Sequence, residues 1–211
     1  RRLRLQDPAS LAGLAQPQLE RLALLSPQLK TFTGADLPAL RLLTAWNLRA
    51  LQDVAGLPPS LEALELRGPW SGMKVDLTPF HALRLRILSV QNLHAPDLDW
   101  APATLEALSL RGARVVDLSA AAGLPALERL HLPKNAATVD LAPLADHPAL
   151  REIVVPAKHV RRPIPEALER PEGARPVVGG GPRKQLARPV EAVGHERLGL
   201  DPLAAQEEDE A

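Results

Sequence analysis

The chain has 211 residues, room for one ordinary domain with a tail or for two small domains. Its 25 basic and 25 acidic residues cancel, which removes any overall field for nucleic acid or anionic lipid. The absence of cysteine removes disulfides, thiolate metal sites and cysteine nucleophiles together, and no apolar run is long enough for a membrane span.

The apolar residues are 41 Leu with two Phe, three Trp and no Tyr among them, so the core must come from a small unit used many times. Scanning with the template L-x-x-L-x-L finds that unit. A half-match, Leu3 and Leu5, comes first. Full matches follow at Leu19-Leu22-Leu24, Leu61-Leu64-Leu66, Leu105-Leu108-Leu110 and Leu127-Leu130-Leu132. Conservative variants fill the gaps at Leu40-Leu43-Ala45, Leu85-Leu88-Val90 and Leu150-Ile153-Val155. The starts are 20 to 24 residues apart, so LEALELRG (61–68) returning as LEALSLRG (105–112) marks two turns of one unit.

Alternation within L-x-L sends the leucines to one face of a short strand and the residues between them to the other. No unit can bury its leucines alone, so neighbours must stack into a continuous core. Parallel strands about 4.8 Å apart would give eight units a concave sheet roughly 35 Å long. The returning segments are rich in Pro and Ala and too short for long helices. Extended chain and single 3-10 turns are expected there, with Leu57, Leu124 and Leu144 buried on the convex side.

The second half of each unit carries a resemblance. VDLAPLADHPALREIVV (139–155), VDLSAAAGLPALERLHL (116–132) and LQDVAGLPPSLEALEL (51–66) resemble the short leucine-rich repeats of bacterial internalins. The resemblance covers roughly residues 1–157. It implies an α/β-class leucine-rich repeat solenoid, a horseshoe or arc with a parallel concave sheet. The Asn that follows the strand in that class is matched by Asn135 alone; Pro27, Leu48, Pro69, Leu93 and Ala113 stand elsewhere. Those turns must satisfy their backbone groups otherwise, and a less regular sheet is expected.

Residues 158–171 read as a capping segment, with a helical turn started by Pro165, and 172–211 as a disordered Pro/Gly/charged tail. The chain opens RRLRLQ without an initiator Met, so a start upstream is expected.

The concave face is where repeat proteins present aligned rows of side chains. On the expected register, Leu25, Leu42 and Trp46 form an apolar patch there, with Arg67 and Arg111 beside it and Gln91 and His131 along the same wall. Trp and Arg are enriched at interface hot spots. A bland alternative has Trp46 folding over a neighbouring unit. Asp53, Asp76, Asp97, Asp117 and Asp140 recur once per unit; single carboxylates suit capping of a short turn far better than calcium.

His81, His94, His131, His147, His159 and His195 show no H-x-x-x-H spacing, so zinc is not expected. Ser109, His131 and an Asp cannot form a triad, because the Asp residues belong to the other side. No G-x-S-x-G elbow exists, and GGGPRK (179–184) fails the phosphate-loop spacing and context. PRKQLA (182–187) resembles part of a core histone tail, a match too short to carry weight.

The reading is therefore a non-catalytic protein–protein interaction scaffold. It has no cofactor, no metal, no nucleic-acid partner and no membrane span, with a monomer and the cytoplasm favoured. A structural or regulatory repeat arm of a larger protein, its activity upstream, is the alternative. The step from repeat to protein binding is analogy.

Overall fold

The computed structural model describes residues 1–154 apart from 70, 73, 93, 95–96, 113–116 and 133–139. Every leucine motif in this range is a short strand: β1 (Arg2–Gln6), β2 (Arg21–Leu25), β3 (Leu42–Trp46), β4 (Ala63–Arg67), β5 (Ile87–Gln91), β6 (Ala107–Ser109), β7 (Arg129–His131) and β8 (Glu152–Val154). The half-match at Leu3 and Leu5 is thus a complete strand. All eight pair in parallel, in chain order, as one sheet.

Register stacks like on like. Leu22, Leu43, Leu64, Leu88, Leu108, Leu130 and Ile153 are successive partners, and so are Leu24, Ala45, Leu66 and Val90. All of these are buried. Leucine is no strong strand former, so burial against the neighbouring unit selects the conformation here.

The returning segments close the core from behind. Leu57, Leu124 and Leu144 are buried there, as the pattern requires. Both phenylalanines serve this side: Phe32 and Phe80 are fully buried, and Phe80 meets the Trp100 ring at 5.9 Å between centroids, tilted by 54°.

The strands start at residues 2, 21, 42, 63, 87, 107, 129 and 152, so successive units are 19, 21, 21, 24, 20, 22 and 23 residues long. The three longest contain the 3-10 turns Thr78–Ala82, Ser119–Gly123 and Ala142–Leu144; the described residues of the shorter four contain none. A 3-10 turn advances about 2 Å per residue against about 3.3 Å for extended chain, so it absorbs surplus residues over a fixed path. No α-helix occurs among the described residues. The described chain is thus a parallel β-sheet solenoid, poor in helix, whose convex segments are extended chain and 3-10 turns as expected.

A correction concerns the residue that ends each strand. The turn position is one residue earlier than expected and is held by Asp7, Ser26, Asn47, Gly68, Asn92 and Gly112, not by Pro27, Leu48 or Pro69. Asp7, Asn47, Asn92 and Gly112 adopt left-handed φ of 53°, 58°, 59° and 64°, which Asn, Asp and Gly tolerate best. Buried Ser26 donates its hydroxyl to Pro8 O at 2.7 Å and accepts from Leu29 N at 3.1 Å. Buried Asn92 donates to Gly68 O at 3.2 Å. A side chain at Gly112 would strike Asn92 Oδ1. Ser26 and Asn92 therefore satisfy backbone groups of their turns with short polar side chains, Gly68 and Gly112 hold the same position without one, and β1 to β5 are regular five-residue strands.

The residue before each strand forms a further row: Arg1, Glu20, Arg41, Glu62, Arg86, Glu106, Glu128, Arg151. Each carbonyl up to Glu128 accepts two N–H groups from the next unit, as Glu20 O does from Arg41 N at 2.9 Å and Leu42 N at 3.0 Å. The side chains alternate in sign through Glu106. Ion pairs join the Arg1 α-amino group to Glu20 at 3.7 Å, Arg41 to Glu62 at 3.6 Å and Arg86 to Glu106 at 2.7 Å.

The expected cap (158–171) and tail (172–211), with Asn135 and Val155, lie outside the described residues.

Candidate functional site

The face of the sheet opposite the core carries three rows of outward side chains, one for each outward position of a strand. Register pairs Leu25 with Trp46 and places Leu42 four residues earlier on β3, beside Arg21, so the three apolar residues lie on adjacent strands with Leu42 two outward rows from the other two. All three side chains are half-buried rather than fully exposed.

Arg67 and Gln91 are direct partners on β4 and β5. Arg67 and Arg111 are exposed, while Gln91 Nε2 reaches Glu65 Oε1 at 3.5 Å. His131 pairs with Ser109 in the middle row. Four strand steps, roughly 19 Å, separate β7 from β3, so His131 does not join the Trp46 patch.

The middle row reads Arg4, Ala23, Thr44, Glu65, Ser89, Ser109, His131, Val154. Although it points away from the core, Thr44, Ser89 and Ser109 retain only 8%, 4% and 1% of their exposure. Ser89 Oγ and Ser109 Oγ are closed off from solvent without a hydrogen-bond partner, as is Arg129 Nε. Ser109 Oγ therefore makes no bond to His131, the contact a nucleophile–base pair would need. The sequence placed these serines on this face, but nothing in it signalled their burial.

The Asp ladder caps turns. Oδ1 of Asp53, Asp76, Asp97, Asp117 and Asp140 accepts the backbone N–H two residues on, from Ala55 at 3.0 Å, Thr78 at 2.9 Å, Asp99 at 3.3 Å, Ser119 at 2.8 Å and Ala142 at 3.0 Å. Hydrogen bonds from Thr78 and Ser119, side chain first and backbone second, hold Asp76 and Asp117 below the ordinary carboxylate value of 3.8. Their contribution to stability is present above that value and fades as pH falls through the lower folded one.

His147 is also structural. Its Nδ1 accepts from Leu150 N at 3.1 Å and Ala149 N at 3.3 Å, which leaves Nε2 to donate to Leu124 O at 3.0 Å. Ser60 and Thr104 tie their units back in the same way, to Leu40 O at 2.8 Å and Leu85 O at 2.7 Å.

Among the described residues no three His, Asp or Glu side chains gather so as to hold a metal ion, and no helix is long and apolar enough to cross a membrane. What the arrangement offers is a wall of aligned side chains, with Leu25 and Trp46 on β2 and β3, an apolar row Leu42, Ala63, Ile87 and Ala107 from β3 to β6, and Arg67 and Gln91 on β4 and β5. No protein-family model matches the chain, and no curated protein matches it.

Proposed function

We propose that this chain is a leucine-rich repeat protein of the short-unit class, and that it acts as a non-catalytic scaffold gripping a protein partner on the concave face of its arc. The observation that carries this is the Leu25–Leu42–Trp46 cluster, which lies across two neighbouring strands on the face away from the core. Each of the three is half-buried; across the sheet Leu25 is followed by Gln6, and Leu42 lies between Arg21 and Ala63. Close packing of Thr44, Ser89 and Ser109 supports the concave assignment, because side chains crowd together on the inner wall of a curved sheet and spread apart on the outer one.

Trp46 is the expected anchor. Truncating a buried aromatic hot spot costs about 2 kcal/mol or more of binding, roughly thirtyfold in affinity. Trp46→Ala should therefore lose the captured partner in a pull-down while its circular dichroism spectrum stays that of the wild type. A variant that still captures every partner at wild-type yield places the binding site elsewhere.

A further inference from the structure

Charge on the outward face of the sheet is lopsided, although the whole chain is neutral. The strands present Arg2, Arg4, Arg21, Arg67 and Arg129 on it, joined by Arg111 just past β6, against two carboxylates, Glu65 and Glu152. Arg2, Arg4 and Arg67 are exposed and form no ion pair among the described residues. Their placement is ordered: Arg2 and Arg4 lie on β1, Arg67 on β4, and the apolar patch on β2 and β3 between them.

With strands about 4.8 Å apart, the seam between β2 and β3 lies roughly 7 Å, measured across the strands, from β1 and from β4, with Arg67 level with Trp46 and Arg4 one outward row back from Leu25. An extended polypeptide covers that distance in about two residues. The matching segment thus carries an apolar side chain with a carboxylate two residues before it and another two residues after.

Nucleic acid would supply negative charge too, but sequence-tolerant strand binding needs a platform of several aromatic rings, and this face offers Trp46 flanked by two leucines.

We infer that the partner segment is an acidic polypeptide of the pattern acid-x-apolar-x-acid, laid across β1 to β4 with its apolar residue on Trp46. The inference rests on the recognition role proposed above and adds the partner's chemistry.

Fluorescence anisotropy with the full chain tests it. The probes are a labelled peptide containing Glu-Ala-Leu-Ala-Glu, its Lys-Ala-Leu-Ala-Lys counterpart and single-stranded oligodeoxythymidine. The acidic peptide should bind, about tenfold or more tighter than the lysine peptide, and should weaken as salt rises. Arg4→Glu combined with Arg67→Glu should cost about tenfold while leaving the melting temperature unchanged, since both side chains are exposed.

Failure of the acidic peptide to bind, equal binding of the two peptides, indifference to the two reversals, or tighter binding of the oligonucleotide would each overturn the inference. The two readings fail separately. A partner that depends on Trp46 but ignores salt and both reversals leaves the scaffold role standing and removes the acidic partner.

Discussion

The two ends of the solenoid use the same leucine template and return to it differently. Units leading from β1 to β4 are short, 19 or 21 residues, with five-residue strands and plain turns behind. There the returning backbones touch directly: Gly13 N–H bonds Gly34 O at 3.0 Å, an isolated bridge joins Ala15 to Asp36, and a second, Asp53 to Asp76, reaches into the longer unit that follows. The longer units beyond Ser119 have three-residue strands and 3-10 turns, and each turn drives one side chain inward, Ala121 or Leu144, as the turn at Thr78–Ala82 does with Phe80. The leucines of the strand set the repeat, and the length of the return decides whether main chain or side chains fill its back.

The sharpest way to break the side-chain mode is to empty it. Phe80 is fully buried and stacked near Trp100, so Phe80→Ala should cost about 3–5 kcal/mol in urea unfolding. A loss under about 1 kcal/mol would mean that the turn collapses to fill the hole and that its buried residue does not set its stability.

The main-chain mode is probed by two glycines of the same row. Gly56, at φ 85°, has no room for a side chain: an added Cβ would lie 2.5 Å from Thr33 Cα and Thr33 N in the preceding unit. Gly13, at φ 80°, would place its Cβ in open space. Gly13→Ala should cost about 1 kcal/mol, the left-handed penalty alone, and Gly56→Ala about 2–4 kcal/mol, because backbone must also move. Thermal melts of the pair measure the difference. Equal losses would show that the stacked returns yield easily and that their close approach constrains nothing.

All eight strands were legible in the leucines, because burial on one face of a strand writes itself as alternation and stacking writes itself as a period. The row assignments of Leu25, Leu42 and Trp46 followed from the same alternation. What the pattern could not fix was the end of the strand. Reading Pro27, Leu48 and Pro69 as the turn position missed Ser26, Asn47 and Gly68, although Asn, Ser and Gly before such residues are themselves a turn signal. Nor could it show that Ser89 and Ser109 lose their solvent, since that depends on how closely neighbouring strands crowd. His131 joined the candidate face on its row alone; its distance from Trp46 needed the strand order. The charge row was invisible for a simpler reason: its partners are 19 to 24 residues apart, and only the register brings Glu62 beside Arg41 and Glu106 beside Arg86.

That row separates the two ends once more, by a small effect. Arg86 meets Glu106 in a two-point contact, 2.7 Å and 3.1 Å, which holds the guanidinium above its ordinary value; Arg41 meets Glu62 at a single 3.6 Å. As isolated surface pairs, each is worth at most about 1 kcal/mol, and exchanging the two partners of either pair should change little. As members of a ladder they should differ. Exchanging Arg41 and Glu62 sets a carboxylate against Glu20 and a cation against Arg86, two repulsive neighbours. Exchanging Arg86 and Glu106 sets a carboxylate against Glu62 but a cation against Glu128, where the native row already places two acids side by side. The first double variant should therefore lose about 0.5–1 kcal/mol at low salt and the second less than about 0.3 kcal/mol, with the gap closing near 1 M salt, where the screening length is about 3 Å. Equal losses at low salt would reduce the row to separate pairs and leave the leucines alone to hold the strands in register.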